Sequence, residues 1–102
     1  MNVVAIVQAR MTSTRLPGKV LADLGGRPML ASVVARIAAA RRISRVVVAC
    51  TDRAADDPIA RWCENAEVTV FRGSETDVLG RYVASATQAE ADLVVRLTAD
   101  CP

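Results

Sequence analysis

No histidine occurs in this chain of 102 residues, and aromatic side chains and cysteines are sparse, with three of each. Each shortage excludes something. Without histidine, Cys50, Cys63 and Cys101 cannot make the usual zinc spacings, and an odd number of widely spaced cysteines argues against a disulfide framework. They read as reduced thiols, with Cys50 and Cys63 at core-facing positions. So few aromatics, and no sustained basic stripe, argue against nucleic-acid binding. No apolar run approaches the ~20 residues that span a bilayer. The N-terminus lacks a basic region, and Met1–Ala9 is too short for a secretory signal, so the expected location is the cytoplasm. Two phosphate motifs are absent as well. No Gly-x-Gly-x-x-Gly follows the first apolar run, and a P-loop around Gly18-Lys19 fails because Ser13 and Val20 occupy its diagnostic positions.

What is present is a core-forming composition, 52% hydrophobic, that fits one globular unit. The net charge of +2 conceals a polarity: residues 1–45 hold eight Arg/Lys against Asp23 alone, and residues 46–102 hold five Arg against ten Asp/Glu. Most of these charges, Arg36, Arg41, Arg42, Glu64 and Glu90 among them, suit solvated helix faces.

Asn2–Gln8 is a nearly continuous apolar run rich in β-branched residues, which predicts a central parallel strand. Val20–Leu24 is a short extended piece, Gly25-Gly26 a turn, and Pro28 opens a helix to about Arg41 that packs Leu30, Val33, Val34, Ile37 and Ala38. Arg45–Cys50 is a second buried strand. Asp57 before Pro58 reads as the cap of a helix burying Ile59, Trp62 and Cys63. Val68–Phe71 is a third strand. Ser74 with Asp77 resembles a capping box before a helix whose apolar stripe is Val78, Leu79, Tyr82, Val83 and Ala86. Leu93–Leu97 is the fourth strand. The order β-α-β-α-β-α-β predicts an α/β fold: a doubly wound, mostly parallel sheet with helices on both faces.

Ligands in such sheets bind beyond the carboxyl ends of the strands, where the winding reverses. The loops there are Ala9–Lys19, Thr51–Asp57 and Thr98–Pro102, and the reversal should bring Ala9-Arg10 beside Asp100. The first loop reads as a phosphate cradle. Arg10, Arg15 and Lys19 supply positive charge, Thr12, Ser13 and Thr14 supply hydroxyls, and Pro17-Gly18 lets backbone amides approach an anion. Asp100 at a strand end could hold Mg²⁺ against nucleotide phosphates, or could cap whatever follows it. Glu75 or Asp77 could accept hydrogen bonds from a base or ribose, and Arg72 or Arg81 could meet an anion; as structural residues, Ser74 and Asp77 would be caps and Arg81 an exposed helix position.

Four blocks carry a resemblance: Ala9–Lys19, Gly25–Leu30, Arg72–Tyr82 and Arg96–Pro102. Together they are similar to the cytidylyltransferase family of CMP-sugar synthetases, its spore coat polysaccharide biosynthesis branch in particular. The resemblance implies a nucleotide-diphospho-sugar transferase-like fold and transfer of a cytidylyl group from CTP to a sugar hydroxyl, with pyrophosphate leaving and Mg²⁺ assisting. On the matching positions it implies Arg10, Lys19 and Asp100 as catalytic residues and Asp100 as the metal ligand. The nucleotide contacts would be Ala9, Arg10, Ser13, Arg15, Lys19, Ser74 and Asp77. It further implies a homo-oligomer, and a chain that is the nucleotide-binding portion of a longer single domain, inactive by itself. One departure is Thr98, where synthetases for eight-carbon acidic sugars usually carry Gln. Two other readings compete: a sugar-1-phosphate nucleotidyltransferase using another base, whose glycine-rich opening loop is missing here, and a non-catalytic nucleotide-binding module.

Overall fold

The computed structural model describes residues 1–11, 23–24 and 27–98. Its main sheet has four parallel strands: β1 (Val3–Gln8), β4 (Arg45–Thr51), β5 (Thr69–Gly73) and β6 (Leu93–Thr98), in spatial order β5-β4-β1-β6. A short antiparallel pair, β2 (Asp23–Leu24) and β3 (Arg27–Pro28), precedes the first helix. The winding runs outward from β1 through β4 to β5, then returns to set β6 on the other side of β1. β1 is therefore central, as its unbroken apolar run predicts: Val4, Ala5, Ile6 and Val7 are all fully buried.

Alternation along the strands divides the core into two layers. Val7 of β1 and Ala9 just beyond it, with Val48 and Cys50 of β4, pack against Leu30 of α1 (Met29–Ala38) and Ile59 and Cys63 of α2 (Asp57–Asn65). Val4, Ile6, Val47 and Ala49 face the opposite way, onto Tyr82 of α3 (Val78–Gln88) and the adjoining Ala89. Helices thus cover both faces, which is the expected architecture. Cys50 and Cys63 are buried free thiols, and burial pushes them up to about 11 and about 12 respectively.

Three local expectations are corrected. The first helix begins at Met29, with Pro28 in β3 before it, and ends at Ala38 with turns following, rather than running from Pro28 to near Arg41. A single 3-10 turn (Ala54–Asp56) leads into α2, so the cap position belongs to Asp56, and Asp57 is already helical. In α3 the stripe is rotated. Val78, Leu79 and Val83 are 45%, 66% and 58% exposed, while Arg81, Tyr82 and Ser85 are buried. Ser85 Oγ closes back on Arg81 O at 2.6 Å, which satisfies its hydroxyl against the sheet.

Candidate functional site

The carboxyl ends of the four strands form one edge. Gln8 at the end of β1 is in register with Ala49 of β4 and with Thr98 of β6. The reversal therefore falls at β1, and the last residue of β6 ends level with the last residue of β1. Ser13, Arg15, Lys19, Asp100 and Cys101 lie outside the described residues.

Just past β1, two amides are clamped to β4 and the turn after it. Ala9 N–H donates to Ala49 O at 2.9 Å, so any ligand contact from Ala9 falls to its carbonyl. Met11 N–H donates to Asp56 Oδ1 at 2.7 Å. Arg10 sits between these anchors with its side chain exposed, and it forms no ion pair with another described residue. A solvent-facing guanidinium on a fixed backbone is able to pair with an anion.

Beyond β4, the turn is organised by Asp56, which is 1% exposed. A buried carboxylate is costly unless its oxygens are satisfied. Besides Met11 N–H, this one accepts from Thr51 N–H at 3.0 Å and from Thr51 Oγ1 at 2.5 Å. Although Asp56 holds the cap position of α2, its side chain makes no cap bond there. Arg72, at the end of β5, binds the same turn from the other side. Its Nε donates to Thr51 O at 2.9 Å, one Nη to Arg53 O at 2.8 Å, and the other pairs with Asp57 at 2.8 Å. Burial would lower the Arg72 pKa, yet the bond to Asp57 and the surrounding charges carry it above the ordinary arginine value. Sequence reasoning missed Asp56 and Thr51. The acidic doublet Asp56-Asp57 before Pro58 was the available signal, since one helix needs only one cap.

The loop from β5 to α3 is held by Arg81, which is buried rather than exposed. Its Nε donates to Gln8 Oε1 at 3.0 Å, and one Nη reaches both Ser74 O and Glu75 O. Neither Arg72 nor Arg81 is thus the open anion receptor that the sequence allowed. Ser74 and Asp77 do not form the anticipated box. Asp77 is itself the cap of α3, with Oδ1 accepting from Gly80 N–H at 2.8 Å, and Ser74 Oγ accepts from Thr76 N–H at 3.3 Å. Both residues remain exposed at the edge, and the Gln8–Arg81–Ser74 bonds tie their loop to the end of β1.

The described carboxylates here are mostly engaged: Asp56 internally, Asp57 with Arg72, Glu75 with Arg53 at 3.1 Å, and Asp77 in its cap. Among the described residues no group of three potential ligands could hold a metal ion. No described helix is long and apolar enough to cross a membrane.

Comparison with known proteins places this geometry. A profile described as cytidylyltransferase matches residues 4–102. The spore coat polysaccharide biosynthesis protein SpsF of Bacillus subtilis is 38% identical over 105 residues, which cover 99% of this chain and 44% of that protein. The solved structure of a cytidylyltransferase from Leptospira borgpetersenii superimposes with a TM-score of 0.92 at 39% identity, over 100% of this chain and 43% of that one. That of CMP:2-keto-3-deoxy-manno-octonic acid synthetase complexed with CTP gives 0.78 at 26% identity, over 97% of this chain and 40% of the other. This chain therefore spans less than half the length of these relatives. With the profile matched along nearly its whole length, the chain belongs to the cytidylyltransferase family.

Proposed function

We propose that this chain forms the nucleotide-binding part of an enzyme that transfers a cytidylyl group from CTP to a sugar hydroxyl, giving a CMP-sugar and pyrophosphate for surface polysaccharide synthesis. The observation that carries the reading is the superposition of 97% of the chain on a synthetase solved with CTP. In the reaction the sugar hydroxyl loses its proton and bonds to the α-phosphorus, the α–β bridging P–O bond breaks, and pyrophosphate departs.

Negative charge grows on the non-bridging and leaving oxygens as this happens, and cations already in place stabilise it. Arg10 meets that need from the clamped backbone beyond β1, with Arg15 and Lys19 as its partners on the triphosphate. Ala9, Ser13, Ser74 and Asp77 complete the nucleotide contacts. Asp100 suits Mg²⁺, which favours one or two carboxylates together with phosphate oxygens and water. The β1–β6 register supports that assignment, because Asp100 follows two residues after Thr98, the partner of Gln8. When bound, Mg²⁺ neutralises phosphate charge. The active form is a cytoplasmic homo-oligomer, and residues 1–102 alone hold nucleotide without completing transfer.

The test is pyrophosphate release by a full-length protein that contains residues 1–102, from CTP, ATP, GTP and UTP against a panel of sugars and sugar acids, with and without Mg²⁺. CTP- and Mg²⁺-dependent release with one acceptor is expected. Preference for another base would make the enzyme a different nucleotidyltransferase, and binding without release would make it a non-catalytic module.

A further inference from the structure

Arg10 has no side-chain anchor among the described residues, so its direction is set by the backbone on either side of it. That backbone has two fixed points. Ala9 is held by the sheet through Ala49 O. Met11 lies beyond the last residue of β1, and the acceptor of its amide is a side chain, Asp56 Oδ1, from a turn 45 residues further along the chain. The other oxygen of the same carboxylate is fixed by Thr51 N–H and Thr51 Oγ1. Arg72 in turn fixes that turn through Thr51 O, Arg53 O and Asp57. Asp56 leaves its own helix uncapped by its side chain to make these bonds. Helix stability therefore does not explain the geometry of its carboxylate.

We infer that Asp56 is a positioning residue for the nucleotide site: by gripping the Met11 amide it sets the direction of Arg10. This inference rests on the cytidylyltransferase reading. It assigns the turn after β4 to the alignment of the triphosphate. A displacement on the order of 1 Å at such a site can cost up to about a hundredfold in rate.

Substitutions at Asp56 separate reach from helix capping. Asp56→Ser keeps a good cap residue for α2, but its oxygen is one bond closer to the backbone and cannot span to Met11. Asp56→Asn keeps one oxygen for the Met11 amide and loses the acceptor for Thr51. Thr51→Val removes the hydroxyl and leaves Met11–Asp56 intact. In the full chain titrated with CTP, Asp56→Ser should weaken affinity by about tenfold or more, and Asp56→Asn and Thr51→Val should stay within about threefold. Adding Asp56→Ser to Arg10→Ala should then cost little more than Arg10→Ala alone, because the two act on one contact. Unchanged affinity in Asp56→Ser, or fully additive losses, would overturn the inference while leaving the cytidylyltransferase reading in place. Failure of the unmodified protein to bind CTP would overturn both. If Asp56→Ser does not fold, amide hydrogen exchange in the unmodified protein decides the matter. Met11 should be protected like the amides of β1, and exchange at the rate of an open loop overturns the clamp.

Discussion

Arg81 Nε donates to Gln8 Oε1 at 3.0 Å, joining the carboxyl end of β1 to the first turn of α3. The same guanidinium takes the carbonyls of Ser74 and Glu75, so one buried cation sets the height of the β5–α3 loop. Arg81→Met would leave these acceptors without their donor. A loss of roughly 3 kcal/mol is expected, since a buried acceptor stripped of its partner costs about 1–3 kcal/mol and water can reach part of the loop. Arg81→Lys should recover little, because an ammonium is a point donor without the planar fork. Urea denaturation of the three proteins is the check, and a lysine variant as stable as the parent would show that charge alone suffices.

Arg10→Ala should behave oppositely. Its side chain is exposed, so the thermal midpoint should hold. Turnover with CTP should fall by about 10- to 150-fold, the equivalent of a charge-assisted contact worth about 1.5–3 kcal/mol. Lys19→Ala is expected to match it. Steady-state kinetics beside a melting curve tests both, and wild-type turnover and affinity in the two variants would remove these residues from the site.

Gly80→Ala isolates the cap. A methyl on Gly80 would lie 2.2 Å from Asp77 Oδ2, so the carboxylate must swing away and release Gly80 N–H. Alanine gains about 1 kcal/mol in helix propensity, and the lost cap costs about 0.5–2 kcal/mol. Stability should therefore move by less than about 1 kcal/mol, whereas the KM for CTP should rise because Asp77 has been turned. A crystal structure of the variant with Asp77 unmoved would contradict the argument.

The two buried thiols predict alkaline weakening. Cys50 and Cys63 titrate near 9.0 when unfolded and are pushed up to about 11 and about 12 in the fold, first of all by burial. Below pH 9 both states are protonated and the stabilisation is complete. Above it the unfolded chain releases protons that the folded chain retains, so stability falls as pH rises, by roughly 1.4 kcal/mol per pH unit for each thiol up to its folded pKa. Urea titrations at successive pH values between 9 and 11 should show this slope, and Cys50→Ala should reduce it by about half. A slope unaffected by the substitution would mean that Cys50 does not titrate as its burial requires.

The main strands and the two-faced cover were legible because each rests on local pattern. Val3–Val7 and Val46–Cys50 are apolar throughout, and only a central position buries both sides of a strand. The adjacency of β1 and β6 followed from the winding rule. The errors came from partners distant in sequence. Asp57 looked like the cap because Pro58 follows it, but Asp56 occupies that position while its carboxylate is drawn to Met11 and Thr51. Arg81 read as exposed because arginine usually is, and nothing nearby in sequence announces Gln8, 73 residues away, as its partner. With Arg81 turned inward, the helix rotates and Leu79 and Val83 face out.

The central place of β1 also governs when the fold can close during synthesis. Its partner on one side is β4, and on the other β6, whose first residue, Leu93, pairs with Val3. A ribosome adding about 5–20 residues each second needs on the order of 5–20 s between making these two strands. Throughout that interval the β6-side hydrogen-bonding groups of the most apolar strand await their native partner, and strands left in that state are templates for foreign pairing. The nascent chain therefore spends its most vulnerable seconds with its innermost strand half covered, and chaperone demand should peak just before Leu93 emerges.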